Sequence, residues 1–174
     1  MTNNANVREV ELKVNGLKAS DGDGVQLTRV IGGAELNMFD PFLLFDVFGS
    51  DNPRDYIGGF PAHPHRGFET VTYMLAGKMR HKDSAGNEGV ISAGDIQWMT
   101  AGKGIIHSEM PEQEQGLLAG FQLWVNLPAT DKMSPPRYQE YKSDDIATET
   151  IEGVGSIKVI AGKTANGTEG VIDN

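Results

Sequence analysis

The spacing of glycine is the feature that most restricts how this chain can fold. Its 174 residues include 22 glycines, which separate short runs rich in Val, Ile, Leu, Phe and Trp. Short apolar runs bounded by glycine and other turn residues are typical of many β-strands joined by tight turns. The sequence contains no heptad pattern and no internal repeat that would suggest another architecture. We therefore predict an all-β protein.

Ten segments have the composition of strands. They are Val10 to Val14, Val25 to Ile31, Phe42 to Val47, Phe68 to Leu75, Lys78 to Lys82, Gly89 to Ser92, Ile96 to Met99, Ile105 to Met110, Leu118 to Asn126 and Ser156 to Ala161. The stretch from Leu127 to Thr150 contains three prolines and breaks this rhythm, so we expect a loop with at most one short helix there. The expected organisation is a barrel over residues 1–130 and a linker and tail over 131–174.

Composition excludes several classes of function. The formal net charge of −9 disfavours direct binding to nucleic acid and to anionic lipid. The absence of cysteine rules out disulfides, thiolate metal sites and a Cys nucleophile, so any metal must be bound through imidazole or oxygen. No apolar stretch approaches the roughly 18 residues of a membrane span, and the start of the chain lacks an apolar signal region. We expect a soluble, cytoplasmic protein.

The strongest chemical signal is the placement of histidine. Three of the four histidines lie in two short patterns, His63-Pro64-His65 and His107-Ser108-Glu109. Residues i and i+2 of an extended chain point to the same face, so each pattern presents two donors side by side. Two such strands facing each other would form a four-donor cage, and we predict metal binding by His63, His65, His107 and Glu109.

This donor set restricts the identity of the metal. Three neutral imidazoles and one carboxylate suit a divalent transition metal and match the oxygen-rich sites of Ca²⁺ or Mg²⁺ poorly. Fe(II) is the leading expectation, with Mn, Ni, Cu and Zn as alternatives. An octahedral ion would keep two positions open, as a catalytic metal requires. The alternative is that these are ordinary structural histidines, because a single His-x-His pattern often arises by chance.

Three segments resemble the pirin family of cupins. They are PFLLFDVF at 41–48, GGFPAHPHRGFETVTYMLAG at 58–77 and GDIQWMTAGKGIIHSEMP at 94–111. The resemblance runs from about Val25 to about Pro136. It continues weakly through 157–163, which is similar to the strand entering the family's second cupin domain, so most of that second barrel is expected to be missing. The resemblance implies a cupin fold, a double-stranded β-helix or jelly-roll barrel.

The resemblance also implies a ligand set. Pirins bind iron through the two histidines of HPHRGFET and the His and Glu of HSEMP, which correspond to His63, His65, His107 and Glu109. The general cupin pattern instead favours Glu69, but a bulge at Gly67 would turn that side chain away from the metal.

Two other polar residues near these patterns have competing interpretations. Arg66 is expected either to orient a ligand through a carboxylate or to form a surface salt bridge. His81 lies in a cationic run beside a turn, and we interpret it as solvated and outside the site.

The first functional hypothesis is a dioxygenase acting on flavonol or quercetin-like aromatic compounds, as the pirin resemblance implies. Its partners would be a small aromatic substrate and dioxygen, with Glu109 serving as both ligand and general base. Five apolar residues could line the substrate pocket or simply form barrel core: Phe45, Phe48, Phe60, Met99 and Trp124.

Two rival hypotheses stay open. The chain could be a metal-dependent regulatory or protein-interaction module, as eukaryotic pirins are transcriptional co-regulators. It could also be a fragment in which the missing barrel normally covers the site. A homodimer formed through barrel edges is a further expectation, as is a protein partner of unknown identity.

Overall fold

The computed structural model describes residues 9–173, and nearly all of their regular structure is β-strand. The strands are β1 (Leu17–Asp21), β2 (Val25–Ile31), β3 (Phe42–Ser50), β4 (Phe60–His65), β5 (Phe68–Ala76), β6 (Lys78–Asp83), β7 (Glu88–Ser92), β8 (Ile96–Thr100), β9 (Ile105–Pro111), β10 (Leu118–Asn126), β11 (Arg137–Tyr141), β12 (Thr148–Ile151) and β13 (Gly155–Lys158). Two single 3₁₀ turns cover Pro53–Asp55 and Ser143–Asp145. None of the helices within residues 9–173 combines the length and the apolar character needed to cross a membrane.

Two antiparallel sheets form the barrel. The larger has the order β1-β2-β3-β10-β5-β8-β11 and the smaller has the order β4-β9-β6-β7, while β12 and β13 make a separate hairpin. Most neighbours are distant in sequence, as in a jelly roll rather than a simple meander. The prediction of an all-β fold of the cupin, jelly-roll type is confirmed.

Strand alternation decides which side chains enter the barrel. On β5, the side chains of Thr70, Thr72 and Met74 are almost completely buried, at 1%, 2% and 0% exposure. Met74 belongs to an apolar cluster with Leu27, Phe48, Tyr56, Met79, Ile91 and Leu118. Polar side chains therefore occupy the same inward face as the hydrophobic core, since Thr72 and Met74 are two residues apart on β5.

The residues after β11 cover the outer face of the large sheet. Ile146 is 4% exposed and packs with Val71 and Ile96, and the partly buried Ile160 and Val171 join the same cluster. This second core lies on the side of the sheet away from the barrel interior. It anchors the C-terminal segment on the large sheet.

Two expectations about individual elements differ from the structure. Residues 10–14 form no strand, and Val10 and Leu12 are 84% and 63% exposed. The first strand is instead β1, which forms a hairpin with β2. The region 127–150 is only partly loop, because β11 pairs with β8 in the large sheet and β12 begins within it. The single short helix expected there corresponds to the 3₁₀ turn at Ser143–Asp145.

Candidate metal centre

The two histidine patterns lie on neighbouring strands of the small sheet. β4 and β9 pair antiparallel, with His63 opposite His107. The ring centroids of His63, His65 and His107 are 4.6 to 4.9 Å apart. One ring nitrogen from each histidine can be chosen so that all three lie within 4.8 Å of one another. Extended geometry therefore brings the three imidazoles together, as the i, i+2 spacing predicts.

Burial keeps two of these imidazoles neutral. It lowers the pKa of His65 to about 4 and that of His107 to about 3, since the surrounding protein disfavours the charged ring. Neutral imidazole is the form that binds metals. Both ring nitrogens of His107 are buried and have no hydrogen-bond partner among the described residues. Such an unsatisfied group is costly unless a ligand completes it, so the histidine cluster fits a divalent transition-metal ion.

Glu109 lies beside the histidine cluster on the inward face of β9. Its side chain is nearly buried, its Oε2 is 3.9 Å from His107 Nε2, and its Oε1 accepts a 3.1 Å hydrogen bond from Thr72. Burial raises the pKa of Glu109, although the nearby His63 and the Thr72 hydrogen bond act in the opposite direction. Within the described part of the chain, Glu109 is not among the residues whose ligand atoms lie within 4.8 Å of one another, which are the three histidines alone. A cation held by the histidines would favour the ionised form of its neighbouring carboxylate.

The two other candidates near the histidine patterns lie apart from this cluster. Glu69 accepts a 2.6 Å hydrogen bond from Thr100 and pairs with it in register between β5 and β8. The inward positions of β5 are Thr70 and Thr72, so strand parity turns Glu69 to the other face. Arg66 is exposed, and its Nη2 lies 3.5 Å from Met133 Sδ.

The interpretation of His81 as a solvated residue is wrong. It is only 3% exposed, and its Nε2 lies 2.6 Å from Glu140 Oε1. The reason is its place on β6, where it pairs in register with Glu109 of β9 and so points into the barrel. Together with Tyr138 and Glu140, His81 lines a polar cavity of about 500 Å³.

A row of polar residues crosses the interior of the large sheet, and sequence reasoning missed it. Gln122, Thr72, Gln97 and Glu140 are consecutive register partners on β10, β5, β8 and β11. We call these four residues the polar row. Thr72 is hydrogen-bonded to Glu109 at one side, and Glu140 contacts His81 at the other. The alternation of side chains along each strand predicts that these residues point inward. It does not show which buried polar residues meet across the barrel.

A cavity of about 650 Å³ opens onto His63, His65 and Glu109. Phe48, Phe60 and Trp124 line it, whereas Met99 is fully buried beside Ala101 and Ile105, and Phe45 stacks on Phe121. Of the five apolar residues considered from sequence, three therefore face the cavity. Asp21, Asp46 and Gln122 add polar groups to its wall.

Comparisons with known proteins identify the family. The pirin family model matches residues 24–125. A pirin-like protein of Caulobacter vibrioides is 62% identical over 166 residues, which are 95% of this chain and 60% of that protein. The chain spans about half the length of several other curated relatives, including the rat protein named pirin, which is 50% identical.

Solved structures agree with this assignment. A quercetin 2,3-dioxygenase from Acinetobacter baumannii superposes with a TM-score of 0.81 at 38% identity, covering 92% of this chain and 58% of that one. The bacterial pirin YhhW from Escherichia coli, solved in complex with nickel(II), has a TM-score of 0.60 at 28% identity, covering 73% and 54%. The sequence match, the fold and the histidine cluster together show that this chain belongs to the pirin family of cupins.

Proposed function

We propose that the chain binds one divalent transition-metal ion through His63, His65, His107 and Glu109 and catalyses dioxygenation of flavonol-like aromatic compounds. The observation that carries this proposal is that His63 and His65 of the histidine cluster, together with Glu109, line a large, partly aromatic cavity. Fe(II) is the preferred metal because dioxygen chemistry requires a redox-active ion. When bound, the ion would supply a Lewis-acid and redox centre for the substrate and dioxygen.

The cavity fits a flavonoid-sized aromatic molecule. Its volume of about 650 Å³ lies within the usual range for small-molecule sites, roughly 300–1,000 Å³. Phe48, Phe60 and Trp124 offer apolar surfaces for the fused rings, while the half-exposed Asp21 can accept hydrogen bonds from phenolic hydroxyls. This combination of aromatic and acidic groups matches a polyhydroxylated aromatic substrate better than an anionic one.

Glu109 is the residue proposed to move the proton. Its carboxylate faces the cavity beside the histidines, within reach of a substrate hydroxyl placed there. We propose that Glu109 accepts the proton of the enolic hydroxyl while the three imidazoles hold the ion in place.

Two solved relatives support the proposal. The Acinetobacter structure carries the name quercetin 2,3-dioxygenase, and the Escherichia coli pirin was solved with nickel(II). Each is matched over little more than half of its own length. The activity of the full-length relatives is therefore proposed, rather than assumed, for this chain.

An aerobic flavonol assay tests the proposal. Protein loaded with Fe(II) is mixed with quercetin in air, and loss of flavonol absorbance is followed together with oxygen uptake. We expect turnover by the wild type and a fall of at least about 100-fold in Glu109→Gln, because a positioned general base contributes roughly 10²–10⁴. Wild-type protein that holds iron but consumes no oxygen would contradict the enzyme proposal. That result would favour a metal-dependent regulatory or protein-interaction module instead.

A further inference from the structure

The hydroxyl of Thr72 is the hydrogen-bond donor to Glu109 within residues 9–173. Thr72 Oγ1 lies 3.1 Å from Glu109 Oε1, and Thr72 is only 2% exposed. Glu109 is equally shielded from water, at 5% exposed. A buried carboxylate that accepts few hydrogen bonds depends strongly on each of them for its orientation. The Thr72 hydroxyl therefore has unusual influence over where the Glu109 carboxylate points.

Gln122 holds the same hydroxyl from the other side. Its Oε1 lies 2.6 Å from Thr72 Oγ1, and the two residues are register partners on β10 and β5. A hydroxyl has a single hydrogen, so it can donate to only one of the two oxygens at a time. If the Gln122 amide turns by 180°, its nitrogen donates to the hydroxyl, which then donates to Glu109. The turned amide is the arrangement in which Thr72 is held by Gln122 and still donates to the Glu109 carboxylate, and the inference uses that arrangement.

Gln97, the next residue of the polar row, does not compete for the Thr72 hydroxyl. Its other register partner, Gln97, donates instead to Glu140 at 2.5 Å. Thr72 is β-branched and closely packed between Thr70 and Met74 on the inward face of β5, which restricts its rotamer. The direction of its hydroxyl is thus set by β5, an interior strand of the large sheet, while Glu109 belongs to the opposite sheet.

We propose that Thr72, supported by Gln122, is a positioning residue that orients the Glu109 carboxylate toward the histidine cluster. This inference rests on the proposed role of Glu109 as a metal ligand, but it does not depend on which substrate the protein oxidises. Groups that hold a metal ligand through a hydrogen bond commonly change metal affinity by about 10–100-fold when removed.

Titration of the metal-free full chain with Co(II), followed by the visible absorption of the bound ion, tests the inference. Thr72→Val keeps the shape of the side chain but removes the hydroxyl, and we expect its Co(II) affinity to fall by about 10–100-fold. Its absorption spectrum at saturation should also change, because the carboxylate is no longer held in the same position. Thr72→Ser restores the hydroxyl and is expected to restore both the affinity and the spectrum.

Thr70→Val is the matched control. Thr70 lies on the same face of the same strand, is 1% exposed, and its hydroxyl has no hydrogen-bond partner among the described residues. We expect this variant to bind Co(II) as the wild type does. Equal losses in Thr70→Val and Thr72→Val would overturn the inference, as would wild-type affinity in Thr72→Val.

Further measurements separate this inference from the proposed function. If Thr72→Val does not fold, Gln122→Met tests the inference instead, because it removes the side-chain amide that holds the Thr72 hydroxyl. An unchanged Co(II) affinity and spectrum in Gln122→Met would overturn the inference. Weakened Co(II) binding in Thr72→Val with no flavonol turnover in the wild type would support the positioning role and contradict the enzyme proposal. A wild type that binds no Co(II) would overturn both.

Discussion

Arg29 and Asp46 form the best-defined ion pair in the cavity wall. Asp46 is 4% exposed and accepts hydrogen bonds from Arg29 Nε at 2.9 Å and Nη2 at 2.7 Å. The pKa of Arg29 is raised chiefly by this hydrogen bonding to Asp46. Two parallel bonds between a guanidinium and a carboxylate fix the geometry of both groups. The pair therefore defines the polar side of the cavity.

Removing Arg29 should be costly. Arg29→Met leaves the Asp46 carboxylate buried without a cation, and we expect the free energy of unfolding to fall by about 3 kcal/mol. Urea denaturation at pH 7 measures the change. Lys163→Met is the control, since Lys163 pairs with Glu169 at the surface and such pairs contribute about 0–1 kcal/mol. Equal losses in the two variants would show that burial of Asp46 does not matter.

For individual residues, the sequence predicts a place in the site only where a short sequence pattern brings donors together. His63, His65 and His107 stand out because i, i+2 spacing on a strand places donors together. Thr72 carries no such mark, and its partner Glu109 lies 37 positions later in the chain. His81 was misread for the same reason, since its contact with Glu140 crosses from one sheet to the other.

Among the elements, the strands that sequence reasoning missed lie at sheet edges. β1 and β11 are the two edges of the large sheet, and β4 is an edge of the small one. Edge strands tolerate proline, and β4 contains Pro61 and Pro64. They also bury less apolar surface, so they lack the alternating pattern that marks β5. Central strands such as β5, β8 and β10 were predicted well because they have that pattern.

The turn between β8 and β9 leads directly into β9, which contains the second histidine pattern. Gly102 in this turn has φ +50°, and a Cβ added there would lie 2.1 Å from the backbone oxygen of Ser134. Gly86, in the turn between β6 and β7, also has a positive φ but would place its Cβ in open space. A side chain at Gly86 would meet only backbone strain, whereas a side chain at Gly102 would meet both backbone strain and a steric clash.

Substituting the two glycines tests this difference. We expect Gly86→Ala to lower the free energy of unfolding by about 1–2 kcal/mol, the cost of the left-handed conformation alone. Gly102→Ala adds a backbone clash and should lose at least about 1 kcal/mol more, comparable to other overpacking changes. Chemical denaturation of both variants measures the difference. Similar losses would show that the turn at Gly102 moves freely away from Ser134.

For the molecule as a whole, the C-terminal segment belongs structurally to the large sheet. β11 pairs with β8, and Ile146, Ile160 and Val171 pack on the outer face of that sheet. Asp95, directly before β8, accepts hydrogen bonds from the Lys142 side chain and the Ser143 backbone. The division at residue 130 into barrel and tail stays a prediction, because no observation separates the two parts.

The Asp95 contacts should make stability depend on pH. Burial acts to raise the pKa of Asp95, but the hydrogen bonds from Lys142, Ser92 and Ser143 outweigh it and hold that pKa below its ordinary value. Asp95 therefore stabilises the folded chain above the ordinary carboxyl range, and this contribution is lost as pH falls through its folded pKa. We expect Asp95→Asn to lose about 2 kcal/mol at pH 7, and less at pH 3.

Urea denaturation of the wild type and Asp95→Asn at the two pH values measures this effect. Asp144→Asn serves as the control, since Asp144 is exposed on the adjacent 3₁₀ turn and should change stability by less than about 0.5 kcal/mol at pH 7. A loss in Asp95→Asn that is equally large at pH 3 would mean that its charge contributes nothing to holding the C-terminal segment.

The metal content of the purified chain tests the central claim most directly. The protein is prepared without added metal, incubated with Fe(II) under anaerobic conditions, desalted and measured by mass spectrometry, alongside His63→Ala, Glu109→Ala and the control Glu69→Ala. We expect about one equivalent of iron in the wild type and in Glu69→Ala, and a strong reduction in the other two variants. No bound metal in the wild type, or full retention in both His63→Ala and Glu109→Ala, would contradict the proposed metal centre.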